Sequence, residues 1–399
     1  MAQALITRRG GDGYATVTFD NVAPLSRTLA PSFIESKCRY SATTVGDYAL
    51  FGGGIAYQNQ KSTSTVDAYS SNLTRMTPTS LSDARDSLAA TTVGNYALFA
   101  GGISNMDTTV VDAYNHNLTR STPTQLSVKK FELAATTVGN YALFAGGFDY
   151  ALEISSLSNV DAYNTSLTRS TPTSLSVARG DLAATTVGNY ALFGGGEGPI
   201  NNYHSTVDAY DTSLTRSTPT SLSVARRRLA ATTVGDYALF GGGSTSWSGS
   251  YYSNVDACSS NLIRTTATAL SVARDSLSAA TVGDYALFGG GESYASGSGY
   301  LAYSTVDAYN SSLTRTNPTP LSSSRDDIAA TSVGNYVLFG GYYGSQVDAY
   351  YLNNKVQVYP GTKYKLGGMT SESTASSMEM IETTTPITGY IKIKNATIN

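Results

Sequence analysis

The strongest constraint on the fold is a repeat. Leu182 to Arg226 reads L-A-A-T-T-V-G-N-Y-A-L-F-G-G-G, a variable insert, then S-T-V-D-A-Y-D-T-S-L-T-R-S-T-P-T-S-L-S-V-A-R, and near copies recur along the chain. Y-A-L-F begins at Tyr48, Tyr96, Tyr141, Tyr190, Tyr237 and Tyr285 and returns as Y-V-L-F at Tyr336, a spacing of 45 to 51 residues. V-D-A-Y follows from Val66, Val111, Val160, Val207, Val306 and Val347, with V-D-A-C from Val255 in the fifth copy. A period of this size marks a propeller or a solenoid. Seven copies of each half predict seven units.

Each unit reads as four short strands. Strand a is L-A-A-T-T-V, and a Gly-Asn or Gly-Asp pair turns it into strand b, Y-A-L-F. Glycine suits the positive φ of a two-residue hairpin turn. A glycine doublet or triplet ends strand b, T-V-D-A-Y forms strand c, and L-T-R-S-T-P forms strand d. Helical periodicity is absent. Antiparallel four-stranded units at this period suit blades around a channel, with the small Ala and Thr of strand a nearest the axis. The predicted fold is all-β, a seven-bladed propeller.

The glycine doublet after strand b, the Tyr ending strand c and the Arg before the next strand a resemble the kelch repeat over about Lys37 to Tyr350. Kelch units carry a Trp near the start of strand d, where this chain has Ser170, Ser217, Thr316 or Met76. The expected blades are therefore divergent, with the Leu of L-T-R filling the Trp space.

Predicted boundaries are a flexible N-terminal arm at 1–13, the propeller at 14–354 and a small β appendage at 355–399. Sliding the first repeat back places Leu25 and Arg27 on Leu73 and Arg75 of L-T-R, so 14–36 is expected to give strand d to the last blade and close the ring. The alternative donor is 355–360. Alternation over Tyr390 to Lys394 predicts a strand. The A-L-I-T-R-R-G opening and the repeats also resemble tail and structural proteins of bacteriophages of gut bacteria. That resemblance implies a virion setting.

A net charge of −3 with no basic stripe argues against nucleic acid. Two cysteines at non-equivalent positions, Cys38 and Cys258, predict no disulfide framework. The N-terminus lacks an apolar stretch of signal-peptide length, and no segment is expected to insert in a membrane.

Strand order places the b–c and d–a loops on one face. The b–c inserts differ in every copy and are rich in Tyr, Ser, Gly and Asn, a composition suited to recognition because aromatics give contact area at low entropic cost. Candidate ligand contacts are Tyr57, Phe148, Tyr150, Tyr203, Trp247, Tyr251, Tyr252, Tyr294, Tyr300, Tyr303 and Tyr342. Each d–a loop adds a cation: Lys37, Arg85, Lys130, Arg179, Arg226, Arg274 and Arg325. Most are expected to be structural. Arg226, Arg227 and Arg228 form a denser cluster and are taken as ligand contacts. The Asp of V-D-A-Y and the Arg of L-T-R, such as Asp161 and Arg169, are expected to pair across the c–d hairpin.

Catalysis finds little support. Only two histidines exist, His116 and His204, in different loops, and no metal or cofactor motif is present. Asp149, Glu153, Glu197 and Glu292 on the variable face could pair across the ring mouth as glycosidase carboxylates do. The expected activity is non-enzymatic recognition of a host-surface glycan or protein. The alternatives are virion assembly, with the inserts contacting neighbouring subunits, and an intracellular adaptor binding an acidic peptide through its cations.

Overall fold

The computed structural model describes residues 25–104, 109–149, 155–246, 249–297, 299–341 and 344–352, with strand backbones inside 3–20 and 355–394. The chain divides into two units, 27–350 and a smaller one of 1–26 with 351–399.

The larger unit is an all-β propeller of seven four-stranded antiparallel sheets. The fourth blade shows the pattern, with strand a Ala183–Val187, strand b Tyr190–Gly194, strand c Val207–Asp211 and strand d Arg216–Ser217. Val187 and Tyr190 flank the a–b turn as partners, and Gly188 there has φ +54°, the positive value such a hairpin asks of its first turn residue. The seventh blade takes its outer strand, Leu25–Ala30, from the N-terminal end. Arg27 reaches Asp348 of that blade at 3.0 Å, the contact made by Arg75 to Asp67 in the first.

Strands b and c are buried on both faces because each blade is sandwiched between two others, and the strand c Tyr closes the gap. In the fourth blade Tyr210 meets Phe193 edge-to-face at 5.9 Å and donates its hydroxyl to the Thr173 carbonyl at 2.8 Å. The Leu of L-T-R, as Leu214, packs against the same inter-blade cluster.

At the axis, strand a hydroxyls link each blade to the one before it. Thr92 donates to the Thr44 carbonyl, Thr137 to Thr92, Thr186 to Thr137, Thr233 to Thr186, Thr281 to Thr233, Ser332 to Thr281 and Thr44 to Ser332. The circuit closes on the seventh link. A second set joins the hydroxyls, as in Thr43 with Thr92 and Thr185 with Thr233, both at 2.9 Å. Ala280 stands where the sixth blade would supply a member.

The smaller unit departs from the predicted boundaries. Gln3–Thr7, expected in a flexible arm, pairs with Ala15–Asp20, which pairs with Ile391–Lys394 and so leaves the propeller. Lys363–Lys365 and Ser373–Thr374 complete a five-stranded sheet. Lys355–Val358, the alternative closing strand, pairs instead with Glu379–Glu382. The physical reason is that strand pairing satisfies main-chain groups a free arm would leave to water.

Each buried Asp of V-D-A-Y accepts from three sides. Asp208, fully buried, takes Arg179 of the preceding loop at 2.8 Å, Arg216 of its own strand d at 3.4 Å and the Ser176 main-chain N–H at 3.1 Å. Asp208→Ala would leave the Arg179 guanidinium buried without a counter-charge. A loss of about 3–5 kcal/mol is expected, read as a lowered denaturant midpoint. Cys258, 2% exposed, replaces the strand c Tyr in the fifth blade. Cys258→Tyr should restore the ring pair and the hydroxyl bond and add about 1–2 kcal/mol, read as a raised Tm.

Candidate binding face

The b–c and d–a loops share one face, built around a second closed circuit. Two residues after each buried cation the backbone turns left-handed, at Arg39, Ser87, Glu132, Asp181, Arg228, Ser276 and Asp327, with φ from 46° to 55°. Each main-chain N–H donates to the carbonyl of its counterpart one blade back. Arg39 N–H donates to Asp327, closing a circuit of bonds from 2.8 to 3.2 Å. Such a conformation is uphill for residues with a Cβ, and the circuit holds it. Their side chains line a cavity of about 210 Å³. Arg39 pairs with Asp327 at 3.3 Å, and Arg228 with Asp181 at 3.2 Å and Glu132 at 4.0 Å.

A second layer surrounds this mouth. Cys38, Asp86, Phe131, Gly180, Arg227 and Asp275 each bridge to the first residue of their own blade's insert, respectively Ile55, Ile103, Phe148, Glu197, Ser244 and Glu292. Several of those insert residues also meet the next blade's loop. Phe148 lies over Gly180, where a Cβ would come within 2.1 Å of the ring. Glu197 accepts from Arg227 at 2.5 Å, and Ser244 donates to Asp275 at 2.5 Å. Glu292 lies within hydrogen-bonding reach of Asp326. The layer is thus apolar around Phe131, Phe148 and Gly180 and charged from Glu197 to Asp326.

Of the expected contacts, Tyr57, Tyr294 and Tyr300 are well exposed, with Tyr300 at 52%. Tyr294 and Tyr300 oppose one another across the hairpin of Glu292–Ala295 and Gly299–Ala302, rings 5.3 Å apart. Tyr203, Tyr251, Tyr252 and Tyr303 are half-buried, and the Tyr303 hydroxyl is 2.7 Å from Ser293 Oγ. Ile200 and Leu301, exposed aliphatic residues that carry no recognition signal in the sequence, share these inserts. Tyr150, Trp247, Tyr342 and Glu153 lie outside the described residues.

Four expectations need correction. Phe148 is not a surface contact, because it is 7% exposed and packs on Phe131 at 5.8 Å. Arg226 is fully buried, held by Asp256 at 2.9 Å and the Phe240 carbonyl at 3.1 Å. Arg227 is 6% exposed and bound to Glu197. Arg228 lines the mouth, yet its guanidinium is engaged by Asp181 and Glu132. All seven loop cations are fully buried, so the adaptor reading loses its ring of accessible charge.

The signal for the mouth residues was a fixed offset from the repeated cation, which singles them out as equivalent without showing that they converge. His116 lies in a c–d turn and His204 in a b–c insert, on opposite faces. Among the described residues no group of three or more His, Cys, Asp or Glu is placed to hold a metal ion.

Comparison with solved structures supports the architecture. The chain is similar to one described as "Structure of YjhT", with a TM-score of 0.57 and 12% identity over 73% of this chain and 99% of that one. That likeness shows the propeller fold alone. No family model matches the sequence, and no curated protein does.

Four carboxyls at this face, Glu132, Asp275, Glu292 and Asp326, are held above the ordinary range, each chiefly by burial. Asp181 adds to the effect on Glu132 and Asp326 to that on Glu292, while Asp275 is pushed up to about 6. The native state thus keeps protons that the unfolded chain releases above about pH 4, so stability falls as pH rises through these folded values. Tm is expected to drop between about pH 5 and 8. A Glu132→Gln, Glu292→Gln double variant should flatten that slope in a pH series of thermal melts.

Proposed function

We propose that the protein is a non-catalytic binding protein that recognises a host-surface glycan or protein through its b–c inserts, in the setting of a phage tail. The observation that carries this reading is the contrast between framework and inserts. Strands b and c bury nearly every side chain in each blade, whereas the inserts vary and raise Tyr57, Tyr294, Tyr300 and Leu301 into solvent on one face. Paired tyrosine rings offer apolar faces and hydroxyl edges, which suits both sugar rings and protein surfaces. The phage setting rests on the resemblance of the repeats and the N-terminal segment.

Ile200, 97% exposed, favours one second reading, in which the inserts seat against a neighbouring subunit. The test compares intact protein with a Tyr57→Ala, Tyr294→Ala, Tyr300→Ala, Leu301→Ser variant on a glycan array and on bacterial surfaces. Binding should weaken by about tenfold or more, roughly 1.4 kcal/mol, with an unchanged melt. Intact protein that binds neither surface but associates with particles would replace recognition by assembly.

A further inference from the structure

The fourth and sixth blades begin their inserts with the same residue, Glu197 and Glu292, each 9% exposed and bridged to its own blade's loop. Each meets the equivalent residue of the following blade. For Glu197 this is Arg227, whose guanidinium also reaches Asp181 at 3.5 Å. For Glu292 it is Asp326. The same backbone frame therefore shows a carboxylate answered by a built-in cation in one place and by a second carboxyl in another.

A third carboxyl joins them. Asp275 N–H donates to the Glu292 carbonyl at 3.0 Å and Glu292 N–H to the Asp275 carbonyl at 2.9 Å. Residues paired in this way carry their side chains on one side of the ribbon. Asp275 is 4% exposed and Asp326 8%. Asp275 accepts from Ser244 through Oδ2, while its Oδ1 and the Oδ1 of Asp326 have no hydrogen-bond partner among the described residues. Charge this deep is costly unless a proton or a cation answers it. Asp275 and Asp326 both oppose ionisation of Glu292, so the three share one field. Arg228 and Arg227 favour the charge of Asp275 through space, while their ion pairs are with Asp181 and Glu132 and with Glu197, and Asp327 pairs with Arg39. Tyr251, half-buried, feels the charge of Asp275 and Glu292, and its hydroxyl meets the main chain of Tyr294.

We propose that Asp275, Glu292 and Asp326 form a site for a primary ammonium group brought by the ligand, with Tyr251, Tyr294 and Tyr300 as its aromatic wall. An ammonium has three donors and no acceptor, and a cation beside tyrosine rings gains further attraction. The guanidinium of Arg227 opposite Glu197 is the internal precedent for a nitrogen cation facing the glutamate at this position of the repeat. The inference rests on the proposed binding role of this face and adds the chemistry of the ligand. An amino sugar and a lysine side chain are the two carriers.

Calorimetric titration of the full chain tests it with two matched pairs. One is a glucosamine pentamer against its fully N-acetylated form, and the other is acetyl-Gly-Lys-Gly-amide against its Nε-acetyl form. In one pair the free amine should bind at least tenfold tighter, and the pair that responds identifies the carrier. Asp326→Arg, which copies Arg227, should fold, shown by its melt, and should abolish that preference. If it does not fold, Glu292→Gln takes its place. Equal binding within both pairs, or a preference that survives the substitution, overturns the proposal. If none of the four probes binds while the protein still binds cells, the ammonium site is lost and the recognition role stands. If the cells are not bound either, both fall.

Discussion

The propeller depends on one repeated interaction, the buried Asp of strand c answered by two cations and a main-chain N–H. Asp112 shows how far it reaches, accepting from Arg85 in the loop before its blade, Arg120 in its own strand d and the N–H of Ser82. One carboxylate thus joins a blade to the connection that delivers it. Removing any one partner strands a charge inside protein, so the contacts are far more costly to lose singly than to form together. Lys130 serves in place of Arg by reaching the same strand b carbonyl, Phe144 O at 3.1 Å, and its Asp at 2.8 Å. The requirement at that position is therefore a long cation that can meet both, and the remaining nitrogens of arginine are supplementary.

Two circuits turn seven blades into a ring. At the axis the hydroxyl of Thr or Ser in strand a crosses to the neighbouring carbonyl, which demands a small hydroxyl side chain where seven strands crowd. On the loop face the crossing is main chain to main chain, as from Glu132 N–H to the Ser87 carbonyl at 2.9 Å. The first circuit constrains residue type. The second constrains only backbone shape, and so the side chains it carries around the mouth are free to differ from blade to blade.

That difference explains what was legible in the sequence. The four strands, the pairing of Asp161 with Arg169 and the alignment of Arg27 with Arg75 could be read because they are local or repeat in register. Most loop cations are structural, as expected, but the burial of Arg226 and Arg227 could not be read, since an arginine looks the same in sequence whether it faces solvent or a carboxylate about 30 residues away. Phe148 was misplaced for a related reason. Insert residues read as surface, yet the first insert position bridges back to the preceding loop at Phe131 and lies over Gly180 of the following one. The N-terminal pairing was out of reach for another reason. Ala15 and Ile393 are partners at nearly the full separation of the chain, with no repeat to align them.

The same logic bears on how one scaffold could acquire recognition chemistry. Each of the first six blades offers two side-chain positions at the mouth that the framework does not use, one in the loop and one at the start of the insert. With Phe148 and Gly180 the pair closes by packing, with Glu197 and Arg227 by internal charge, and with Glu292 and Asp326 it is left with an excess of negative charge. A single residue in one repeat separates a self-neutralised pair from one that calls for an outside cation. Because the buried aspartates and the hydroxyl circuit close without these positions, such a change carries little risk to the ring, and chemistry at the mouth can vary at the pace of the inserts.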